Sequence, residues 1–282
     1  MSNQATPQWH AHYEGDAPAD FGFTPSNLQD FLTEAANTAG KNLAVQFHNF
    51  KITYEKLNEK AENLAASFRN LGIEKGDRIA IMLPNLPQTV IAFWGAIKAG
   101  AIVVMTNPLY MEKELTHHFN DSKPKILITL DLFWSKIEPL KEMLGVEKYV
   151  ITRASEALAF PLNLLQNLKA RRSHEFIKIP FNGKTVIPWK KLLNTKERYI
   201  APSSDPAATI ALLQYTGGTT GFSKGAMLTH ANLTIQILQL LEVLHAKEHP
   251  MRHLCIGVIP FFHIFGLLRC FILPTFFKSP TI

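Results

Sequence analysis

Between residues 26 and 152, short apolar runs alternate with stretches whose apolar residues recur at helical spacing. Leu28, Phe31, Leu32, Ala35 and Ala36 share one helical face that begins after Ser26. Leu57, Ala61, Leu64, Ala65, Phe68 and Leu71 form the next stripe, closed by Gly72. A third helix opens at Pro87 and stops at Gly100, and others are predicted near 112–120 and across 132–144. The runs 43–47, 78–83, 101–105, 125–130 and 148–152 read as strands between them. This alternation predicts an α/β fold with a mostly parallel sheet and flanking helices. It does not predict a membrane span: Lys98 and two glycines divide 89–106, and Pro260, His263, Arg269 and Pro274 interrupt 254–277.

Residues 153–205 break the rhythm and read as an irregular excursion with one helix, carrying Pro161, Pro180, Pro188 and Gly183. The chain's net charge of +6 is concentrated nearby: residues 123–198 hold 15 lysines and arginines against 7 acids. No nucleic-acid recognition motif accompanies this charge, so it reads as a solvated surface or as one that meets anionic lipid. The lipid reading rests on Leu162, Leu164, Leu165 and Leu168, which lead into Lys169, Arg171 and Arg172. Cys255 and Cys270 sit in apolar surroundings and read as buried thiols of a reducing compartment. The N-terminal segment is polar and lacks the basic-then-apolar pattern of a signal peptide.

Beyond a turn at 203–206, strands are predicted at 209–214 and 226–228, a helix at 233–244 starting near Thr229 or Asn232, and a buried strand at 254–259. Between the first two strands lies Tyr215-Thr216-Gly217-Gly218-Thr219-Thr220-Gly221-Phe222-Ser223-Lys224-Gly225. Glycines let backbone N–H groups converge on one point, threonine hydroxyls add donors, and Lys224 adds a fixed positive charge. That donor set suits a polyphosphate. It is not the common phosphate loop, because Gly225 rather than Ser or Thr follows Lys224, and a short apolar run rather than a helix comes next. The plain alternative is a Gly/Thr turn joining two strands, which would need fewer hydroxyls.

At these residues the chain resembles the AMP-binding, adenylate-forming enzymes. The string is most similar to that of bacterial long-chain fatty-acid–CoA ligases, as is Met227-Leu228-Thr229-His230 after it. Weaker matches follow in the expected order: Thr53-Tyr54, Gly76-Asp77-Arg78, Ile81-Met82-Leu83-Pro84-Asn85, Asn107-Pro108-Leu109-Tyr110, His118-Phe119-Asn120-Asp121-Ser122 and Pro260-Phe261-Phe262-His263-Ile264-Phe265-Gly266. The resemblance implies ATP-dependent adenylation of a fatty acid and then thioester formation with CoA. It implies that Thr216, Gly217, Gly218, Thr219, Thr220, Gly221 and Lys224 bind the ATP phosphates, with the Thr216 hydroxyl helping indirectly to hold Mg2+. Phe262, His263, Phe265 and Gly266 would line the acyl and adenylate pocket, His263 as lining rather than as a proton carrier. His117 and His118, adjacent on a helix, should point apart and not form a metal site.

The family's Tyr-Gly-x-Thr-Glu run, ribose aspartate, hinge and C-terminal domain with its lysine are not found here. The main catalytic residues are therefore missing from this chain. The expected organisation is a polar segment 1–25, a partial AMP-binding N-terminal domain 26–268, a divergent truncated tail 269–282, and no C-terminal domain. The apolar run 261–277 is expected to lack a covering layer. Two other readings stay open: another carboxylate-activating enzyme of the same class, and a non-catalytic nucleotide- or lipid-binding remnant. The location implied is the cytoplasm, with peripheral contact at the inner membrane face.

Overall fold

The computed structural model describes residues 22–172, 177–195, 197–217, 223–243 and 254–282. Helix α1 (Leu28–Ala39) buries the predicted stripe of Leu28, Phe31, Leu32 and Ala35. An antiparallel hairpin, β1 (Leu43–Phe47) with β2 (Phe50–Thr53), leads into α2 (Tyr54–Asn70). The Thr53 hydroxyl accepts the Lys56 N–H at 3.4 Å, which satisfies one of the amides left open at the start of α2. Helix α3 (Pro87–Ala99) is buried at every residue, and Gly100 ends it at φ 79°, a left-handed conformation that favours glycine.

The strands are β3 (Arg78–Met82), β4 (Ile102–Met105), β5 (Ile126–Leu130), β6 (Lys148–Thr152), β7 (Val186–Pro188), β8 (Ile210–Thr216) and β9 (Lys224–Thr229). They form one sheet in the order β7-β6-β5-β3-β4-β8-β9, parallel except for β8 against β9. Alternate residues of each strand face opposite layers. Ile79, Ile81, Val103, Ile126 and Ile128 pack toward α1, α2 and α3. Ala80, Met82, Val104 and Leu127 pack toward α4 (Glu112–Ser122), α5 (Trp134–Ile137) and α6 (Lys141–Leu144) through Leu115, Phe119, Trp134, Ile137 and Leu144. Burial on both faces explains why these strands read as continuous apolar runs.

Three segments differ from the sequence reading. Among its described residues the excursion holds two α-helices and a strand rather than one helix: α7 (Leu162–Arg172), β7 and α8 (Trp189–Leu193), besides a 3-10 turn over Ala154–Ala157. Its strand escapes a pattern search because it has three residues and ends in proline. The Asn182 side chain organises the turn before it, accepting the N–H groups of Lys184, Thr185 and Val186 at 2.9 to 3.0 Å. The predicted buried strand at 254–259 is instead an extended segment with a single bridge, Cys255 to Thr281. Leu254, Ile256 and Val258 point outward and are exposed, while the residues between them are half-buried.

The run 261–277 does find partners. It folds as α10 (Ile264–Leu267), a π-helical turn over Leu268–Ile272, and α11 (Leu273–Phe277). Leu267, Phe271 and Ile272 are buried, with the Phe271 ring edge-on to Phe93 at 5.1 Å and to Trp94 at 5.5 Å. Phe276 meets Phe31 of α1 at 5.0 Å. The last residues add to the edge of β1: the Thr281 N–H donates to the Ala44 carbonyl, and the Gln46 N–H donates to the Thr281 carbonyl, both at 2.9 Å. The expected lack of a covering layer overlooked α1, α3 and β1, which lie about two hundred residues earlier in sequence and supply it. Helix α9 (His230–Val243) starts where predicted, with Thr229 and Asn232 exchanging side-chain and backbone hydrogen bonds at 3.0 to 3.2 Å. Both cysteines are free thiols. Among the described residues no helix is long and apolar enough to cross a membrane.

Candidate nucleotide-phosphate site

The Gly/Thr/Lys loop is the tip of the β8–β9 hairpin. Thr216 and Lys224 are register partners at its mouth, and both are exposed, as is Gly217. Gly218, Thr219, Thr220 and Gly221 lie outside the described residues. The strand–loop–strand prediction therefore holds, with strands longer than expected that bring the hydroxyl of Thr216 and the ammonium of Lys224 to the same end.

Helix α4 supports both stems of the loop. On the β8 side, the Tyr215 hydroxyl donates to the Asp121 carboxylate, and the Tyr215 ring lies 4.0 Å from that of His118. Burial, reinforced by Asp121, raises the Tyr215 hydroxyl pKa well above the ordinary tyrosine value. Gly225, opposite Tyr215 across the hairpin, has no room for a side chain, since a Cβ there would sit 2.9 Å from the phenol ring. On the β9 side, His117 Nε2 donates to the Ser223 carbonyl at 2.9 Å. A carbonyl can only accept, so this nitrogen carries the proton. His118 turns the other way, into the core, where Nε2 lies 3.1 Å from the Thr106 hydroxyl. Burial, helped by His117, lowers its pKa to about 4. The two adjacent histidines do point apart, as their helical positions require.

The second motif sits beside the same hairpin. Gln214, buried in β8, donates through Nε2 to the Phe262 carbonyl at 3.2 Å, across 48 residues of sequence. Asn85 follows β3 and holds the rest of the segment: Nδ2 donates to the carbonyls of Gly257 and Ile259, and Oδ1 accepts the Phe261 N–H, all at 2.8 Å. Gly266 is buried with a virtual Cβ 2.3 Å from the Pro260 carbonyl, so only glycine fits. Phe262 is half-buried, whereas His263 and Phe265 are exposed at the start of α10. The anticipated acyl-pocket residues are thus gathered on one short segment and tied to the strand that leads into the loop.

Sequence reasoning missed the supporting groups, namely His117, Asp121, Gln214 and Asn85. Asp121 and Asn85 fall within motif strings already singled out, but only tertiary contacts give them a role. The Thr216 hydroxyl and the Lys224 ammonium at the loop mouth are donors of the kind that phosphate oxygens accept. Among the described residues there is no group of three or more His, Cys, Asp or Glu that could hold a metal ion. A divalent cation here would take its ligands chiefly from phosphate and water, as Mg2+ commonly does, with the Thr216 hydroxyl beside it.

The family described as "AMP-binding enzyme" matches residues 32–279. The chain is 38% identical over 268 residues to a long-chain-fatty-acid–CoA ligase of Bacillus subtilis, covering 94% of this chain and 47% of the relative. It is 34% identical over 266 residues to the ligase of that description from Salmonella typhimurium, covering 92% and 46% respectively. In structure it is similar to a long-chain-fatty-acid–CoA ligase from Archaeoglobus fulgidus, with a TM-score of 0.73 at 24% identity, covering 95% of this chain and 48% of the other. It is also similar in fold to an anthranilate CoA ligase solved with anthranoyl-AMP, with a TM-score of 0.71 at 19% identity, covering 91% and 44%. The chain spans about half the length of the curated relatives it matches.

Proposed function

The chain belongs to the AMP-binding enzyme family, and from that premise we propose that it is part of an ATP-dependent acid–thiol ligase acting on long-chain fatty acids. The observation that carries the reading is the β8–β9 hairpin, which offers Thr216 and Lys224 at one mouth while Gln214, in the same strand, holds Phe262 of the aromatic segment. Nucleotide phosphates and an acyl chain would then approach from adjoining surfaces.

In the reaction, a fatty-acid carboxylate oxygen attacks the α-phosphorus of ATP. The bond from that phosphorus to the bridging oxygen breaks, and pyrophosphate leaves with the bonding electrons. Lys224 and the amides of the loop act on the β- and γ-phosphates, where negative charge accumulates as the bond breaks. Mg2+, when bound, would neutralise phosphate charge, and the Thr216 hydroxyl would help indirectly to hold it. The thiol of CoA then attacks the acyl carbonyl of the adenylate and AMP departs. Phe262, Phe265 and Gly266 line the acyl side, with His263 as a wall residue. His117, Asp121 and His118 act as positioning residues through the loop stems. The setting is cytoplasmic, with peripheral contact at an anionic inner membrane face.

These 282 residues contain no Tyr-Gly-x-Thr-Glu run, so by themselves they are expected to adenylate several orders of magnitude below a full-length relative. Losing even one donor to a developing oxyanion costs about 10²–10³ in rate. The test is carboxylate-dependent exchange of labelled pyrophosphate into ATP, run on this chain and on a full-length relative whose corresponding N-terminal portion is replaced by residues 26–268 of it. Palmitate-dependent exchange by the hybrid supports the reading. Exchange that needs an aromatic or amino acid instead would reassign the substrate, and a hybrid that binds no ATP would remove the phosphate role.

A further inference from the structure

We propose that Cys255 and Cys270 are a modification site, where exchange with a small-molecule disulfide forms a reversible intramolecular bond across the base of the aromatic segment. The bond does not depend on the ligase reading, and it is measured without ATP or acyl substrate. Only its effect on a bound acyl chain would rest on that reading.

Both cysteines are free thiols that meet at the two ends of one loop. Cys255 lies in the extended segment whose exposed positions are Leu254, Ile256 and Val258, so its side chain turns inward with Gly257 and Ile259. There its Sγ donates to the Arg269 carbonyl at 3.5 Å, the oxygen of the peptide that joins Arg269 to Cys270. Cys270 is buried in the π-helical turn. Thr281 ties the two backbones together: it bridges to Cys255, and its hydroxyl donates to the Cys270 carbonyl at 2.9 Å. On either side of that bridge, the Cys255 N–H donates to the Pro280 carbonyl at 3.0 Å, and the Ile282 N–H donates to the Cys255 carbonyl at 2.8 Å. The backbones that carry the sulfurs are thus held together whether or not the sulfurs are joined. Burial, with the Cys270 thiol beside it, pushes the Cys255 thiol up to about 11.

The pair has no third ligand from His, Cys, Asp or Glu among the described residues, which leaves sulfur–sulfur exchange rather than a closed zinc site as its chemistry. Cys255 is the more accessible of the two and takes the first step. Its thiolate attacks one sulfur of the small disulfide. That S–S bond breaks, and one small thiolate leaves with the electron pair and takes up a proton. Cys270, once deprotonated, attacks the Cys255 sulfur of the mixed disulfide; the second small thiolate leaves and the Cys255–Cys270 bond is made. The chain has lost two hydrogens and two electrons, and the small disulfide has become two thiols. A thiol that resists ionisation is a slow nucleophile and a poor leaving group, so exchange is slow in both directions. The free thiols are the resting state in a reducing compartment, and the bond forms under sustained oxidation. It closes a loop of residues 256–269, which includes Phe262, His263, Phe265 and Gly266. That loop otherwise relies on the side-chain amides of Asn85 and Gln214 to hold its backbone at 257–262.

The test is prolonged incubation of the folded 282-residue chain with oxidised glutathione, followed by peptide mapping in a mass spectrometer. Peptides holding Cys255 and Cys270 should be joined within one chain, and dithiothreitol should part them. Closing a loop of this length should raise the melting temperature by about 5–10 °C, and hydrogen exchange of the amides in 256–269 should slow. Cys270→Ser should stop after the first step and keep one glutathione on Cys255. Cys255→Ser should take up almost none, because Cys270 is 6% exposed. Neither variant should gain melting temperature from the oxidant. Mapping the natural chain needs no variant, so a serine variant that fails to fold leaves the answer intact. The proposal is overturned if the natural chain keeps glutathione with no joined peptide, or if both cysteines stay unmodified. It is also overturned if the link joins two chains, if it forms only in urea, or if the linked chain melts no higher than the reduced one. Pyrophosphate exchange judges the ligase reading separately.

Discussion

Mild acid should destabilise this chain through two histidines buried in the neutral state. His118 is fully buried between Thr106 and Tyr215, and His230, 4% exposed, accepts the Leu28 N–H on Nδ1 at 3.1 Å. Burial is the main reason that each has its pKa lowered to about 4 from the ordinary 6.5, with His117 and Lys75 adding repulsion. A folded-state pKa below the unfolded value means that the unfolded chain binds more protons once the pH falls below the ordinary histidine value. The stability these groups contribute is complete above about pH 6.5 and is lost as the pH drops toward 4. At about pH 4.5 each histidine accounts for a loss of about 2.5 kcal/mol, roughly 5 kcal/mol together, which matches the whole stability of a modest domain. The assay is urea unfolding at neutral pH and at about pH 4.5, on the natural chain and on a double variant. His118→Gln keeps a polar atom near the Thr106 hydroxyl, and His230→Asn keeps an acceptor for Leu28. The double variant should lose about 5 kcal/mol less than the natural chain between the two conditions. Equal losses in both proteins, or histidine titrations near the ordinary value by NMR, would refute the reasoning.

Three further outcomes follow from the site and the core. In a full-length relative carrying residues 215–225, Lys224→Ala should weaken ATP use about tenfold to a hundredfold, the value of one charge-assisted contact, without altering acyl preference; unchanged ATP kinetics would reduce the loop to a turn. Gly225→Ala puts a methyl group 2.9 Å from the Tyr215 ring. It should cost about 1–3 kcal/mol in chemical denaturation and loosen the Tyr215–Asp121 bond, read as faster exchange of the amides around the hairpin mouth. Phe271→Ala removes a buried ring that contacts Phe93 and Trp94 and should cost about 3–5 kcal/mol; a cost near zero would mean that the run after Phe261 is not part of the core.

The β3 to β6 strands were legible because both of their faces are buried, so their sequences are apolar without interruption. The loop was legible because few other structures demand that mixture of glycine, threonine and lysine. What escaped depends on partners far away in sequence. The role of Gln214 is defined by Phe262 and that of Asp121 by Tyr215, and neither side chain announces its partner. The hydrophobicity of 254–259 suggests a buried strand, but among the described residues only the face with Cys255, Gly257 and Ile259 is packed.

The order of the sheet also bears on how this protein should be handled. One margin is β7, three residues long and ending in Pro188, a poor template for another chain. The other margin is β9, six residues long, with Met227 67% exposed. Intermolecular strand addition will therefore favour β9, whose first residue is Lys224. On the proposed phosphate role of Lys224, aggregation and loss of nucleotide binding would begin at one place, so a preparation that is slowly associating should lose ATP affinity before its helices melt. ATP with Mg2+ should act as a solubility agent at concentrations that do little to its melting temperature.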